Sequence, residues 1–408
     1  MKNIIVSKVK FDDRDYEFVE RKGSGHPDTL ADGLAEELSR EYSKYTLEKF
    51  GAVLHHNFDK VGLLGGASLV TFGEGRLTKP IRVLLNGRAS YKFANEFIPV
   101  DDLLKKWSVK YLKDRFPSID PESDLEFHMN LSTQSSPGKT DEDESKKGTR
   151  RHWFEPRSLD DIQETTKLLS NDTSLGVGYA PLSKLESLIL KIESALNSDE
   201  YKKDKPWLGS DIKILGFRYK DEFKITMCIP QIANYVKSLD EYKVNLESVK
   251  NDILRIAGDG GVAKLELNTN TRDNYELCEI YMTAIGSSIE SGDEGLVGRG
   301  NRINGLISPN RPMSMEGACG KNPVYHIGKV YYVTAMKIAQ KIHDKFGIYC
   351  EVFLASQSGR DLLDPWITLI AVPENMADTE GVREIANSEL LELKKISKDI
   401  MGAKHRLY

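Results

Sequence analysis

The sequence predicts an α+β protein in which helices cover one face of several sheets, and three observations lead there. Strand-like runs come in groups separated by amphipathic helices, without the regular strand–helix alternation of a doubly wound sheet. With 408 residues, 39% hydrophobic and 29% charged, the chain can bury a real core and is long enough for about two or three structural units. Its longest apolar run, Trp366 to Val372, falls far short of the roughly 20 residues that span a bilayer.

Four helices are predicted. After His26 and Pro27, the residues Leu30, Leu34, Leu38 and Tyr42 recur every fourth position up to Phe50. Pro27 suits a first helical position and Gly51 a stop. A second helix starts at Ser183, with Glu186 completing a capping box and Leu185, Leu188, Ile189, Ile192 and Leu196 on one face. A third runs from about Val333 to Phe346 and stops at Gly347, and a fourth from Val382 through Met401. Strands are expected at Val61–Phe72, Ile81–Leu85, Ile212–Tyr219, Phe223–Ile229, Cys350–Ala355 and Trp366–Val372, each bounded by Gly, Pro or Asp. No internal repeat is legible.

Net charge is −5, which argues against coating nucleic acid by charge alone, so any polyanion site must be local. The N-terminus has too short an apolar stretch for a signal peptide, and a cytoplasmic location is expected. Cys228, Cys278, Cys319 and Cys350 lie far apart with no C-x-x-C pair and read as reduced thiols. Ser135 to Arg151, an acidic run followed by a basic one, reads as a surface loop or mobile flap.

Chemistry concentrates in a few segments. In Glu20–Asp32, ERKGSGHPDTLAD, Gly23 and Gly25 permit close backbone approach, and a helix opening at Pro27 aims free N–H groups at whatever precedes it. His26 at that mouth can donate to a phosphate or a developing oxyanion. Asp28 can hold a divalent cation or simply complement the helix dipole, worth about 0.3–1 kcal/mol. In Ser291–Lys329, Arg299, Arg302, Arg311, Lys321 and Lys329 alternate with glycines, an inventory that suits a polyphosphate, the alternative being a basic loop. Ser136-Pro-Gly138-Lys139-Thr140 has the Gly-Lys-Thr ending of a P-loop but Thr133 where its first glycine belongs. Asp172 either holds the amino group of a small substrate or caps a turn. Asp211 and Lys213 enter a strand, where Lys213 is equally an edge lysine.

Taken together, GSGHPD, FDKVGLLGG, NDTSLGVGYAPLS and GDEGLVGRGNRINGLISPNRPMSMEGACGKNPVYHIGK resemble the archaeal-type methionine adenosyltransferases (S-adenosylmethionine synthetases), from about residue 20 to 332. The patterns E-x-x-x-x-G-H-P-D, D-x-x-L-x-x-G-Y-A, D-x-K and G-D-x-G-L-x-G-R are similar to the bacterial and eukaryotic branch. The resemblance implies attack of the methionine sulfur on C5′ of ATP, then cleavage of tripolyphosphate to phosphate and diphosphate. It implies that His26 donates to the leaving side and Asp28 binds magnesium. Lys213, Arg299 and Lys321, with Arg302 and Lys329, would clamp the phosphates. Asp172 and Asp293 would recognise the methionine amino group or the adenosine, and Glu20 and Asp211 would line the nucleotide or metal site. Ser136, Gly138 and Lys139 are candidate nucleotide contacts. Magnesium, two ions per site, is implied and potassium allowed. So are a homodimer with active sites between subunits, tetramers allowed, and no nucleic-acid or membrane partner. The implied fold is three similar sheet-plus-helix subdomains in pseudo-threefold arrangement, near residues 1–130, 131–265 and 266–408. The chain departs from the archaeal pattern at Gly317, Cys319 and Tyr325, where Ala, Ser and Asn are commoner. A thiol at Cys319 beside the cations is expected to be acidified and oxidant-sensitive.

Overall fold

The computed structural model describes residues 3–12, 14–134 and 152–408; Ser136, Gly138 and Lys139 lie outside them. Its helices are α1 (Pro27–Phe50), α2 (Val100–Arg115), α3 (Lys184–Leu196), α4 (Asp199–Asp204), α5 (Leu239–Asp259), α6 (Ile327–Phe346), α7 (Thr379–Leu391) and α8 (Leu393–Met401). The principal strands are β1 (Ile4–Val9), β2 (Tyr16–Lys22), β3 (Gly62–Leu64), β4 (Ile81–Ala89), β5 (Leu125–Ser132), β6 (Ser174–Ala180), β7 (Lys213–Tyr219), β8 (Glu222–Cys228), β9 (Leu265–Thr269), β10 (Glu294–Leu296), β11 (Cys350–Ser356) and β12 (Ile367–Pro373).

Local chemistry explains where the helices begin. α1 opens with His26 at its N-cap and Pro27 in its first turn, and closes on Gly51 at φ 78°. Ser183 and Glu186 form the capping box of α3: Ser183 Oγ accepts from Glu186 N at 3.0 Å, and Glu186 Oε2 accepts from Ser183 N at 2.7 Å. α6 starts at Ile327, ahead of the expected Val333, because the His326 ring accepts from Gly328 N and caps an earlier turn. The expected C-terminal helix is two helices that break at Glu392. The expected strand Val61–Phe72 is also split, into β3 and Ala67–Thr71. A Cβ on Gly65 would lie 2.5 Å from Asp293 O and one on Gly66 2.3 Å from Lys79 O, so neighbouring chain crosses the run there.

Each of three sheets carries its own helices and core. One has the order β1-β12-β11-β6, with β1 parallel to β12, and packs on α6, with α7 and α8 closing the same core. A second has the order β5-β4-β3-β10 and packs under α1 and α2. The third has the order β9-β8-β7-β2 and packs on α3 and α5. Every sheet joins distant chain segments: β2 pairs with β7, and β10 with β3. Thus Glu20 and Lys22 from the N-terminal region, and Glu294 to Leu296 from the middle, converge where α1 begins. Among the described residues, no helix is long and apolar enough to cross a membrane.

The four cysteines are free, Cys228 and Cys278 exposed, Cys319 and Cys350 buried. Acidification of Cys319 is overturned: burial pushes its thiol well above the ordinary value, outweighing Lys329 and Arg302, and Sγ faces Leu407 O at 3.6 Å. Brief iodoacetamide treatment of the native protein is expected to label Cys278 and spare Cys319, as read by peptide mass; fast labelling of Cys319 would contradict its burial. A second expectation concerns the seam between α6 and β6, where a Cβ on Gly178 would lie 2.3 Å from the Ala335 carbonyl carbon. Gly178→Ala should therefore lower unfolding free energy by roughly 1–3 kcal/mol in a urea titration.

Candidate active site

The site is organised around the first turn of α1. Lys22, at the end of β2, donates from Nζ to Asp28 Oδ2 at 2.8 Å and to Arg299 O at 2.7 Å. Asp28 Oδ1 accepts from Leu296 N at 3.1 Å, so both its oxygens are engaged. Asn301 completes the clasp, accepting from Lys22 N at 2.9 Å and donating to Lys22 O at 2.8 Å. The glycines here approach protein. A Cβ on Gly295 would lie 1.9 Å from Pro27 O, one on Gly300 2.2 Å from Asp32 Oδ2, and one on Gly23 2.4 Å from Ile212 O. Close backbone approach, expected to serve a ligand, instead seats three chain segments against one another.

His26 Nδ1 accepts from Asp28 N at 3.2 Å. Burial holds its ring below the usual range, although Asp211 and Asp28 draw it upward. A neutral ring that accepts at Nδ1 carries its proton on Nε2, so His26 offers a donor there. Asp211 is buried and accepts from Ser288 N at 2.9 Å and from Ser288 Oγ at 2.5 Å. Burial raises its pKa, against the pull of His26 and Ser288. Ser288 Oγ lies also 3.1 Å from Asp293 Oδ2, so two carboxylates meet at one hydroxyl. Lys213 stands on the open face of the third sheet, 3.5 Å from Glu20 Oε1. The structure therefore brings Glu20, His26, Asp28, Asp211, Lys213, Asp293 and the main chain of Arg299 to one region.

The remaining cations divide by their partners. The Arg299 side chain is exposed and has no hydrogen-bonded or ion-paired acid among the described residues. Arg302, by contrast, spends its guanidinium on backbone carbonyls, donating to Gly298 O at 2.6 Å and Gly300 O at 2.9 Å; it shapes the loop that presents Arg299. Lys329 is fully buried in α6 and donates to Glu36 Oε2 at 2.6 Å and to Lys321 O. Its ammonium is committed inside the protein, which removes it from a direct phosphate clamp in this conformation. Lys321 is 3% exposed and pairs with Asp59 at 2.6 Å and with Glu316. Burial pulls the Lys321 pKa down, but these two carboxylates more than offset it, and the net shift is upward. Asp59, Glu316 and His326 would be a metal-ligand geometry, yet the Lys321 ammonium already neutralises it. This cluster abuts the Arg299 loop, since a Cβ on Gly317 would lie 3.1 Å from Gly298 Cα.

Asp172 is not brought to this region by hydrogen bond or ion pair. It is exposed before β6, and its Oδ1 accepts from Thr173 N at 2.7 Å, the turn-capping alternative. Sequence reasoning passed over Lys22, Asp59, Glu316 and Asn301. All four lie inside segments already singled out, but nothing in their spacing says that each would meet its partner across the fold.

Comparison with known proteins accords with this arrangement. The family model described as S-adenosylmethionine synthetase (AdoMet synthetase) matches residues 2–148 and 154–404. An S-adenosylmethionine synthase of Methanocaldococcus jannaschii is 40% identical, with 99% of each chain covered. A probable S-adenosylmethionine synthase of Aquifex aeolicus is 37% identical over 99% of each, and one from Hyperthermus butylicus 38% identical over 94% of this chain and 93% of its own. With a match that spans nearly its whole length and curated relatives covered almost end to end, the chain belongs to the S-adenosylmethionine synthetase family.

Proposed function

We propose that the protein forms S-adenosylmethionine from ATP and L-methionine, the sulfur attacking C5′ of ATP and the released tripolyphosphate then being hydrolysed to phosphate and diphosphate. The observation that best supports this reading is a charge imbalance at the mouth of α1. There a neutral His26 donor feels the charges of Asp211 and Lys213, Asp211 shares the Ser288 hydroxyl with Asp293, and the loop held on Lys22 carries Arg299, whose exposed side chain has no acid partner among the described residues. A thioether is already nucleophilic and needs no base, so the enzyme's tasks are alignment and stabilisation of charge on the departing polyphosphate. His26 Nε2–H suits the leaving oxygen, and Arg299, Lys213 and Lys321 suit the phosphate oxygens. Asp211 and Asp293 offer an oxygen-only donor set that fits a hard divalent cation such as Mg2+. Asp28, the expected magnesium ligand, has both oxygens held by Lys22 and Leu296 N, and among the described residues it does not form a three-carboxylate group with them. Magnesium, when bound, supplies charge neutralisation to the polyphosphate.

A second copy of the chain is the proposed cover for the open face of the third sheet. Phe18 and Leu215 are 44% and 48% exposed. On that face Tyr219 lies across from Tyr16, Phe217 from Phe18 and Leu215 from Glu20, an apolar strip that ends at Glu20 and Lys213. Burying it would enclose the site between subunits.

Incubation with ATP, magnesium and methionine should yield S-adenosylmethionine, phosphate and diphosphate by mass; absence of the sulfonium product would sink the proposal. Lys321→Ala should raise the chemical barrier by about 3 kcal/mol or more with the protein still folded by circular dichroism, and an unchanged turnover number would remove Lys321 from the site. The pair Phe18→Glu and Leu215→Glu should give a monomer by light scattering with turnover reduced at least about tenfold; an unaltered oligomer would place the subunit contact elsewhere.

A further inference from the structure

Next to the Lys321 turn lies a buried cluster that the proposed chemistry does not use. His55 Nε2 and Glu164 Oε2 face each other at 3.8 Å, with side chains 2% and 7% exposed, and neither atom has a hydrogen-bond partner among the described residues. On its other side, His55 Nδ1 lies 2.8 Å from the Tyr325 hydroxyl. Tyr325 belongs to the turn 320–326, which is held against residues 54–58 by Phe58 N donating to Gly320 O at 2.8 Å and Asn322 Nδ2 donating to Leu54 O at 3.2 Å. The His55 backbone is fixed by Ser90 N at 3.0 Å. The Trp153 ring stacks on His55, with centroids 5.0 Å apart. Three segments therefore meet at one imidazole: 152–166, 54–58 and the turn that carries Lys321.

We propose that Glu164, His55 and Tyr325 are a positioning relay that holds one proton and fixes the Lys321 turn against segment 152–166. This rests on the reading of Lys321 as part of the phosphate chemistry. In the protonated state the Glu164 carboxyl, by closing the 3.8 Å gap that separates them, can donate to His55 Nε2, while His55 Nδ1–H donates to the Tyr325 oxygen. When Glu164 releases its proton to solvent, the imidazole must turn its proton to Nε2 and the Tyr325 O–H must reverse to donate to Nδ1. That state buries a carboxylate without a counterion among the described residues. Among the described residues, the buried ammonium of the neighbourhood, Lys329, is bound to Glu36, and the other groups facing the cluster are the neutral His56 ring, Tyr42, Trp153 and Phe154. Burial raises the Glu164 pKa to about 7 and drops that of His55 to about 3, in keeping with a neutral acid beside a neutral ring. A carboxyl raised in the fold contributes fully below its ordinary value of 4.5 and loses that contribution as pH rises through about 7.

The test compares the wild type with Glu164→Gln, whose amide N–H still donates to Nε2 but cannot ionise. Turnover and thermal midpoint of the wild type should fall as pH rises through about 7. In Glu164→Gln turnover at pH 6 should stay within about threefold and the alkaline limb of both profiles should move up by about one pH unit or more. Tyr325→Phe should lower turnover but leave the wild-type limb where it is. Coincident profiles for wild type and Glu164→Gln would overturn the relay. So would a wild-type thermal midpoint that ignores pH across this range, which decides the matter if the variant does not fold. Absence of S-adenosylmethionine at every pH would instead overturn the functional reading, and the thermal profiles would then test the relay by themselves.

Discussion

The buried clasp of Lys22 with Asp28 is the interaction on which the rest of the site depends. It ties the end of β2, the first turn of α1 and the loop from Leu296 to Asn301, with Asn301 answering both main-chain groups of Lys22. Removing one partner of such a pair leaves an uncompensated charge in the interior and costs roughly 3–5 kcal/mol. Geometry follows from it: Gly295 and Gly300 are needed where the loop comes down on Pro27 and Asp32, and Arg299 is delivered to the helix mouth. Asp32, whose pKa burial raises to about 7, accepts from Gly298 N at 2.8 Å and fixes the start of the same loop.

Around this clasp the cations fall into two groups that look alike in sequence. Arg302 and Lys329 stabilise the scaffold, one by satisfying the carbonyls of a glycine-rich loop, the other by neutralising Glu36 inside a helix interface. The Arg299 side chain is exposed without an acid partner among the described residues, and the Lys213 ammonium lies 3.5 Å from Glu20 Oε1 on the open sheet face. Lys321 stands between the groups, held by Asp59 and Glu316 yet placed beside the Arg299 loop. A buried lysine keeps its charge only where carboxylates outweigh desolvation, and that makes its acidic neighbours as necessary as the lysine itself.

Several elements were legible because their signals are local. Pro27 with Gly51, and Ser183 with Glu186, mark helix ends through hydrogen bonds within a few residues. Other elements were missed or misplaced for identifiable reasons. In α2, Ser108 interrupts the apolar stripe of Val100, Leu104, Tyr111 and Leu112, so the period is blurred. In α5, Tyr242, Leu246, Val249, Ile253 and Ile256 share a face, a period that was present but overlooked. The start of α6 depends on a histidine cap, and the break in Val61–Phe72 on a crossing segment from Asp293, neither of which hydrophobic periodicity records. In the candidate site, GSGHPD and the arginine- and glycine-rich run are visible as chemistry without a map. Nothing in them says that Arg302 faces carbonyls, or that burial raises the Cys319 pKa where neighbouring cations should lower it.

By itself the sequence determined the α+β class, the family resemblance and which segments carry the chemistry, since these rest on composition, short-range capping and residue types at fixed spacing. Tertiary structure alone decided which polar groups meet. The mild net charge of −5 says nothing of a local surplus, because Lys22 finds Arg299 O, Lys321 finds Asp59 and Glu164 finds His55 only after separations of 277, 262 and 109 residues are closed by folding. Desolvation and Coulomb terms act over a few ångströms in space, and position along the chain does not reveal those distances.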